Sequence, residues 1–206
     1  MSDAASASMI NDPQPAELGE WKLPSHRKVG VITLIFTESA LFTIFVVAYL
    51  FYIGKSLNGP FPKDVLEFPW VASFALFSSS VTVVIAEKAF HNLQYKKFQL
   101  FWGITILLGL LFIGYTALEW HHLIYEKDLT IATNVFGSTF YSLVGLHASH
   151  VIVGLILLSL VFGLSLTKAL TPEQFERIEM ISWYWHFVDA IWIVVLTVVY
   201  IISVHA

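Results

Sequence analysis

Five long apolar stretches are the feature that most restricts the fold of this 206-residue chain. A transmembrane helix needs about 20 mostly apolar residues to cross about 30 Å of hydrocarbon, and all five stretches are close to this length or longer. They cover residues 29–53, 68–86, 98–118, 135–166 and 183–204. The sequence therefore predicts an all-α polytopic membrane protein, a bundle of five transmembrane helices.

The composition excludes several other classes of protein. Apolar residues make up 57% of the chain and charged residues 13%, whereas an ordinary soluble domain carries about 25% charged residues. The net charge of −4 offers no basic surface for nucleic acid. Because there is no cysteine, disulfides, thiolate metal sites and iron–sulfur clusters are excluded, and any metal would have to be held by histidine and carboxylate side chains.

Residues 1–28 are predicted to be an N-terminal tail, disordered at its start, and residues 29–206 the membrane domain. No cleavable signal peptide or transit segment is visible in the tail. Eight of the 11 Lys and Arg residues lie on the same predicted side of the membrane as the tail, so the positive-inside rule places the N-terminus in the cytoplasm. The eight are Lys22, Arg27, Lys28, Lys88, Lys96, Lys97, Lys168 and Arg177, and the other three are Lys55, Lys63 and Lys127.

Glu38 is the clearest polar residue inside an apolar stretch. A charged side chain at the centre of a membrane helix costs roughly 2.5–3.5 kcal/mol on insertion scales, so its presence needs a reason. One interpretation is a carboxyl group that exchanges protons or faces lipid. The other is a carboxyl group that only links helices by hydrogen bonding, and the position of Glu38 leaves both open.

Two pairs of polar residues lie three positions apart, and each pair shares one helix face. His147 and His150 form the first pair, and His186 and Asp189 form the second. Imidazoles can bind haem, non-haem iron or copper. We favour hydrogen bonding between helices, with Asp189 accepting from His186 or from an indole, because His186 is predicted near one end of its helix and His147 at a different depth.

Aromatic residues mark the ends and one face of the predicted helices. Glu119 and Trp120 close the third helix, where they fit an interfacial belt. Trp185, Asp189 and Trp192 share one face of the fifth helix, and this face suits a partner helix better than lipid. Trp185 and Trp192 are therefore our candidates for a subunit interface. The serine run 78–80 is predicted to allow close packing of helices.

Several segments together resemble subunit III of the haem-copper terminal oxidases, the cytochrome c oxidase and quinol oxidase superfamily. The segments 183–192 (WYWHFVDAIW), 137–141 (GSTFY) and 145–154 (GLHASHVIVG) resemble the signatures of the family's last two helices. Glu119 and Trp120, the segment 78–82 (SSSVT) and Glu38 also stand where the family has similar residues. The resemblance covers about residues 30–204 and is to the five-helix bacterial form, which lacks the first two helices of longer members.

The resemblance implies a non-redox subunit of an enzyme that reduces oxygen to water and translocates protons across a bacterial cytoplasmic membrane. Haems and copper are expected in partner subunits I and II and no cofactor or metal in this chain, so Glu119, His147, His150, His186 and Asp189 carry over as structural polar residues. The chain would support stability, sustained turnover and proton uptake, with Glu38 as the candidate on a proton or oxygen path. Oxidase subunits I and II and membrane lipids are the implied partners; a bound phospholipid and membership of a respiratory supercomplex stay open.

Two other functions remain as alternatives. A haem b membrane anchor, or quinol dehydrogenase subunit, would use His147, His150 and His186 as ligands. A secondary transporter would be expected to show inverted repeats and broken helices, and the sequence has neither an internal repeat nor a proline beyond the first turn of a predicted helix. The electron donor of the oxidase and the haem types depend on other chains.

Overall fold

The computed structural model describes residues 25–167 and 169–205, with only the backbone of His205. The described part of the chain is all-helical, and five of its helices are long and apolar enough to cross a membrane. The predicted fold class is thereby confirmed. The predicted disorder at the start of the tail falls on residues outside the described part.

The five long helices are α1, α3, α4, α5 and α6. They cover His26–Tyr52 (α1), Trp70–His91 (α3), Tyr95–Tyr125 (α4), Val135–Leu166 (α5) and Phe175–Val195 (α6). A short helix, α2 (Pro62–Val65), lies between α1 and α3, and a 3₁₀ turn at Pro172–Gln174 leads into α6. Beyond α6 the chain continues as a π-helical segment, Leu196–Ile202, and a last turn, α7 (Ser203–His205).

Side-chain caps fix the beginnings of two helices. The Ser25 hydroxyl accepts from the Lys28 amide at 3.3 Å and starts α1, so residues 26–28 are helical although they were assigned to the tail. Asn134 accepts from the Gly137 amide at 2.8 Å and starts α5. Both caps satisfy a backbone N–H that has no partner within its own helix.

Four helices extend beyond the apolar stretches that predicted them, and α1 does so by residues 26–28. The apolar stretch at 183–204 belongs to a helix that begins at Phe175. Helix α3 extends past its predicted stretch at the C-terminal end, and α4 extends past its stretch at both ends. The polar first turns of α6 contain Glu176, Arg177 and Glu179. Apolar length measures the hydrocarbon-crossing part of a helix, whereas these turns are suited to the headgroup region.

The helices form one bundle in which α6 is the most buried of the five spanning helices and α1 the least. Helix α3 packs on α4 and α6, α4 on α5, and α1 on α5 and α6. Large aromatic side chains fill the interior, among them Trp102, Trp185 and Trp192, which are all at most 1% exposed. This arrangement brings polar residues from the middle of four helices to two separate places.

Candidate functional site

Glu38 and His150 form the first polar site, between α1 and α5. Each residue lies near the middle of its helix, and Glu38 Oε2 is 3.1 Å from His150 Nε2. Their side chains are 25% and 15% exposed, respectively. The site therefore joins the peripheral helix α1 to the bundle by a polar contact at membrane depth.

The hydrogen bonds of His150 show that this pair holds a proton. His150 Nδ1 lies 2.8 Å from the carbonyl oxygen of Leu146, and because a carbonyl only accepts, Nδ1 must carry a hydrogen. In a neutral imidazole Nε2 is then an acceptor, and so is an ionised carboxylate. The hydrogen bond between Nε2 and Glu38 therefore contains one further proton, carried either by the carboxyl group or by the imidazole.

A cavity of about 240 Å³ opens beside this pair. Leu34 and Val153 supply apolar walls, and Ser149 and Tyr184 supply polar ones. The Tyr184 hydroxyl donates to the carbonyl oxygen of His150 at 3.2 Å, which ties α6 to the same turn of α5. Sequence reasoning missed Tyr184, since nothing in the local pattern links it to a residue on another helix.

Ser80, His186 and Asp189 form the second polar site, the α3–α6 cluster. The Ser80 hydroxyl donates to Asp189 Oδ2, and His186 Nδ1 lies 3.2 Å from the same hydroxyl oxygen. Asp189 thus accepts from a serine and not from His186 or an indole, which corrects that expectation. His186 also lies near the middle of the helix and not near its end, because α6 begins at Phe175.

The two indoles predicted at a subunit interface are instead inside the chain. Trp185 Nε1 donates to Ser79 Oγ at 2.9 Å, and Trp192 Nε1 donates to Ser73 Oγ at 3.1 Å. Both rings are at most 1% exposed, so this chain already covers the surface that they were predicted to offer, and the prediction is wrong. The partner helix is α3, whose serines act as hydrogen-bond acceptors as well as small packing residues.

His147 and Glu119 lie in two other environments. His147 is 1% exposed, its ring stacks on Trp192 at a centroid distance of 5.1 Å, and neither ring nitrogen has a hydrogen-bond partner among the described residues. Glu119 accepts from the Tyr200 hydroxyl at 2.9 and 3.1 Å through its two oxygens. Sequence reasoning missed Tyr200 for the same reason as Tyr184.

The geometry gives little support to a histidine metal centre. Among the side chains of residues 25–167 and 169–204, no three His, Asp or Glu come together in a group that could hold a metal ion. Both nitrogens of His150 are already engaged, by Leu146 and Glu38. His147 is enclosed by the rings of Phe42, Phe112 and Trp192.

Comparison with known proteins gives a consistent result over almost the whole chain. A family model described as cytochrome c oxidase subunit III matches residues 24–204. Cytochrome c oxidase subunit 3 of Alkalihalophilus pseudofirmus is 32% identical over 169 residues, 81% of this chain and 82% of the relative. The Synechocystis sp. protein of the same name is 33% identical over 208 residues, 97% of this chain and 86% of the relative. Cytochrome bo(3) ubiquinol oxidase subunit 3 of Pseudomonas aeruginosa is 34% identical over 176 residues, 84% of both chains.

Proposed function

Because the chain belongs to the cytochrome c oxidase subunit III family, we propose that it is the non-redox third subunit of a proton-translocating haem-copper oxidase. The relatives include subunits of both a cytochrome c oxidase and a ubiquinol oxidase, so the proposal covers both electron donors. The oxidase reduces oxygen to water at haem and copper centres in subunits I and II. This chain stabilises the catalytic subunit and supports its sustained turnover and proton uptake.

The observation that carries the proton-uptake part of this proposal is the hydrogen-bonded pair of Glu38 and His150. Its hydrogen bond requires a proton that can be on either group, and a cavity lies beside it. A carboxyl group in the middle of a membrane helix is a functional candidate by its energetic cost alone. Glu38 is the residue through which this subunit would influence proton uptake or the path of oxygen.

Glu38→Gln in the assembled oxidase tests this role. A glutamine amide can donate to His150 Nε2 and keep the helices linked, but it cannot release a proton at physiological pH. We expect slower proton uptake or faster inactivation during turnover, with subunit content unchanged. Thr37→Val is the matched control, because its hydroxyl bonds only within α1, to the Leu34 carbonyl oxygen.

Unaltered proton uptake and unaltered inactivation in Glu38→Gln would remove Glu38 from the proposal.

A visible absorption spectrum of the chain, recorded after its partner subunits are removed, tests the wider function. We expect no Soret band in the separated chain, with subunits I and II present in the intact preparation. A Soret band that stays with this chain would favour the haem b anchor instead and make His147, His150 and His186 candidate ligands.

The proposed location is a bacterial cytoplasmic membrane, with the N-terminus in the cytoplasm and the C-terminus outside. The five spanning helices make the chain a multi-pass membrane protein, and the unequal distribution of Lys and Arg between its two sides supports this orientation. Membrane lipids would contact the exposed apolar side chains of α1. A bound phospholipid and assembly into a respiratory supercomplex are further extensions of the same proposal.

A further inference from the structure

One face of α6 remains uncovered although this helix is the most buried of the five. His186, Ala190 and Ile193 lie along this stripe, and Thr197 extends it into the π-helical segment. Phe77 and Val81 are exposed on α3, the helix that packs beside it. We call this surface the α3–α6 face. His186 is partly exposed on it and lies near the middle of the spanning segment, next to Ser80.

The hydrogen bonds within the described chain leave one ring nitrogen of His186 without a partner. A serine hydroxyl has one hydrogen, and Ser80 donates it to Asp189. His186 Nδ1 must therefore be the donor to Ser80 Oγ, which makes Nε2 of the neutral imidazole an acceptor. Nε2 has no partner among the described residues, and it is not one of the enclosed unpaired atoms, so it is accessible at the surface.

A lipid acyl chain cannot satisfy this nitrogen. Polar groups without partners in hydrocarbon are costly, and polar side chains in membrane helices face protein or water-filled cavities. The equivalent nitrogen of His150 is paired inside the chain with Glu38. Ala190, one turn from His186, would allow another helix to approach closely.

We propose that the α3–α6 face binds a transmembrane helix of a neighbouring oxidase subunit that presents a hydrogen-bond donor to His186 Nε2. This inference rests on the proposed function and adds the contact surface and the chemistry of the partner. The donor is a hydroxyl, amide, indole or cationic side chain at mid-membrane depth. The face lies on α6, the element predicted to contact a partner, but on a different side from the buried indoles.

Site-directed crosslinking in the assembled oxidase tests the face, and the absence of cysteine in this chain makes an introduced thiol unique within it. Ala190→Cys would carry a photoactivatable benzophenone, with Leu107→Cys on the exposed side of α4 as the matched site and the wild-type chain as background. We expect the Ala190 probe to join this chain to another oxidase subunit. Adducts with lipid only, or with a second copy of this chain, would overturn the proposal.

Replacing His186 tests the hydrogen bond itself. We expect His186→Phe to weaken retention of this chain by the purified oxidase about three- to tenfold, in line with hydrogen bonds between membrane helices. His186→Gln, whose amide oxygen still accepts, should restore part of the retention. The melting temperature of the separated chain reports any folding defect, and equal retention of all three proteins would contradict the assigned contact. Absence of other oxidase subunits from the wild-type preparation would instead refute the proposed function.

Discussion

The three histidines near the middle of the bundle have identical side chains but lie in three different environments. His150 is paired with Glu38, His186 has one free nitrogen, and His147 lies in an aromatic enclosure without a hydrogen-bond partner among the described residues. The contribution of each imidazole to stability therefore depends on what its removal leaves unpaired. A buried acceptor or donor that loses its partner costs about 1–3 kcal/mol, whereas removal of an unpartnered polar group does not.

His147→Phe is expected to leave the chain as stable as the wild type or slightly more stable. Phenylalanine has a similar shape, suits the rings of Phe112 and Trp192, and removes two nitrogens that have no partner within the described chain. His150→Phe is the contrasting variant, because it leaves Glu38 without its imidazole, and it should lower the free energy of unfolding by about 1–3 kcal/mol. Thermal unfolding of the purified chain in detergent measures both. Equal destabilisation by the two variants would show that His147 has a partner, such as a buried water or a ligand.

At the scale of elements, Trp185 determines how closely α6 approaches the three helices around it, α3, α4 and α5. Its indole lies against Gly109 of α4 and Gly154 of α5 and donates to Ser79 of α3. A Cβ atom on Gly154 would be 2.8 Å from Cε3 and Cζ3 of the indole. The two glycines are thus required by the close approach of a large rigid ring, as is typical of helix contacts in membranes.

Gly154→Ala should therefore destabilise the bundle by about 1–3 kcal/mol, the usual result of overpacking a core. The indole cannot move away easily, because it is fully buried and hydrogen-bonded. Gly163→Ala on the same helix is the control, since nothing lies within 4 Å of its added Cβ, and it should be neutral or slightly stabilising. Tryptophan fluorescence during thermal unfolding distinguishes the two. A neutral Gly154→Ala would mean that α5 and α6 can separate without loss of stability.

The sequence was sufficient to predict five membrane helices and the family resemblance, which the comparisons confirm. Hydrocarbon thickness determines the length of an apolar stretch, so the number of helices can be read from hydropathy. The polar turns before Trp183 hid the true start of α6 for the same reason. The predicted position of His186 near the end of its helix was therefore wrong. The argument against a haem pair compared the predicted depths of His147 and His186, so it rested partly on this error.

The partners of the polar residues could not be predicted from the sequence. Glu38 pairs with His150 across 112 positions, and Ser80 joins Asp189 across 109. Periodicity shows which residues share a face of one helix, but not which helix lies opposite. The indoles of Trp185 and Trp192 were assigned to another subunit because they share a face with Asp189, and no local pattern links them to their actual partners, two serines of α3.

At the scale of the whole molecule, the two polar sites near the middle of the bundle differ in whether their hydrogen bonds are completed within the chain. The site between α1 and α5 is paired within the chain and has its own cavity. The α3–α6 cluster leaves an accessible nitrogen on a partly exposed surface. Helix α1 is attached along its length, by Lys28 to Glu179 at 2.9 Å near one end and Tyr49 to Ser203 at 2.9 Å near the other. The Glu38 site is thus paired within the chain, whereas His186 keeps one nitrogen without a partner among the described residues, which is what the proposed contact with another subunit requires.

The orientation of this bundle can be tested at the two ends of one helix. Lys97 and Lys127 are both exposed and lie at opposite ends of α4, so Lys97→Cys and Lys127→Cys remove the same charge and add the same thiol. With the N-terminus in the cytoplasm, a membrane-impermeant maleimide should label Lys127→Cys in spheroplasts and Lys97→Cys only after permeabilisation. This follows because α1 and α3 precede Lys97 and return the chain to its starting side, where most Lys and Arg residues lie. The reverse labelling pattern would invert the bundle and would place the majority of these cations outside.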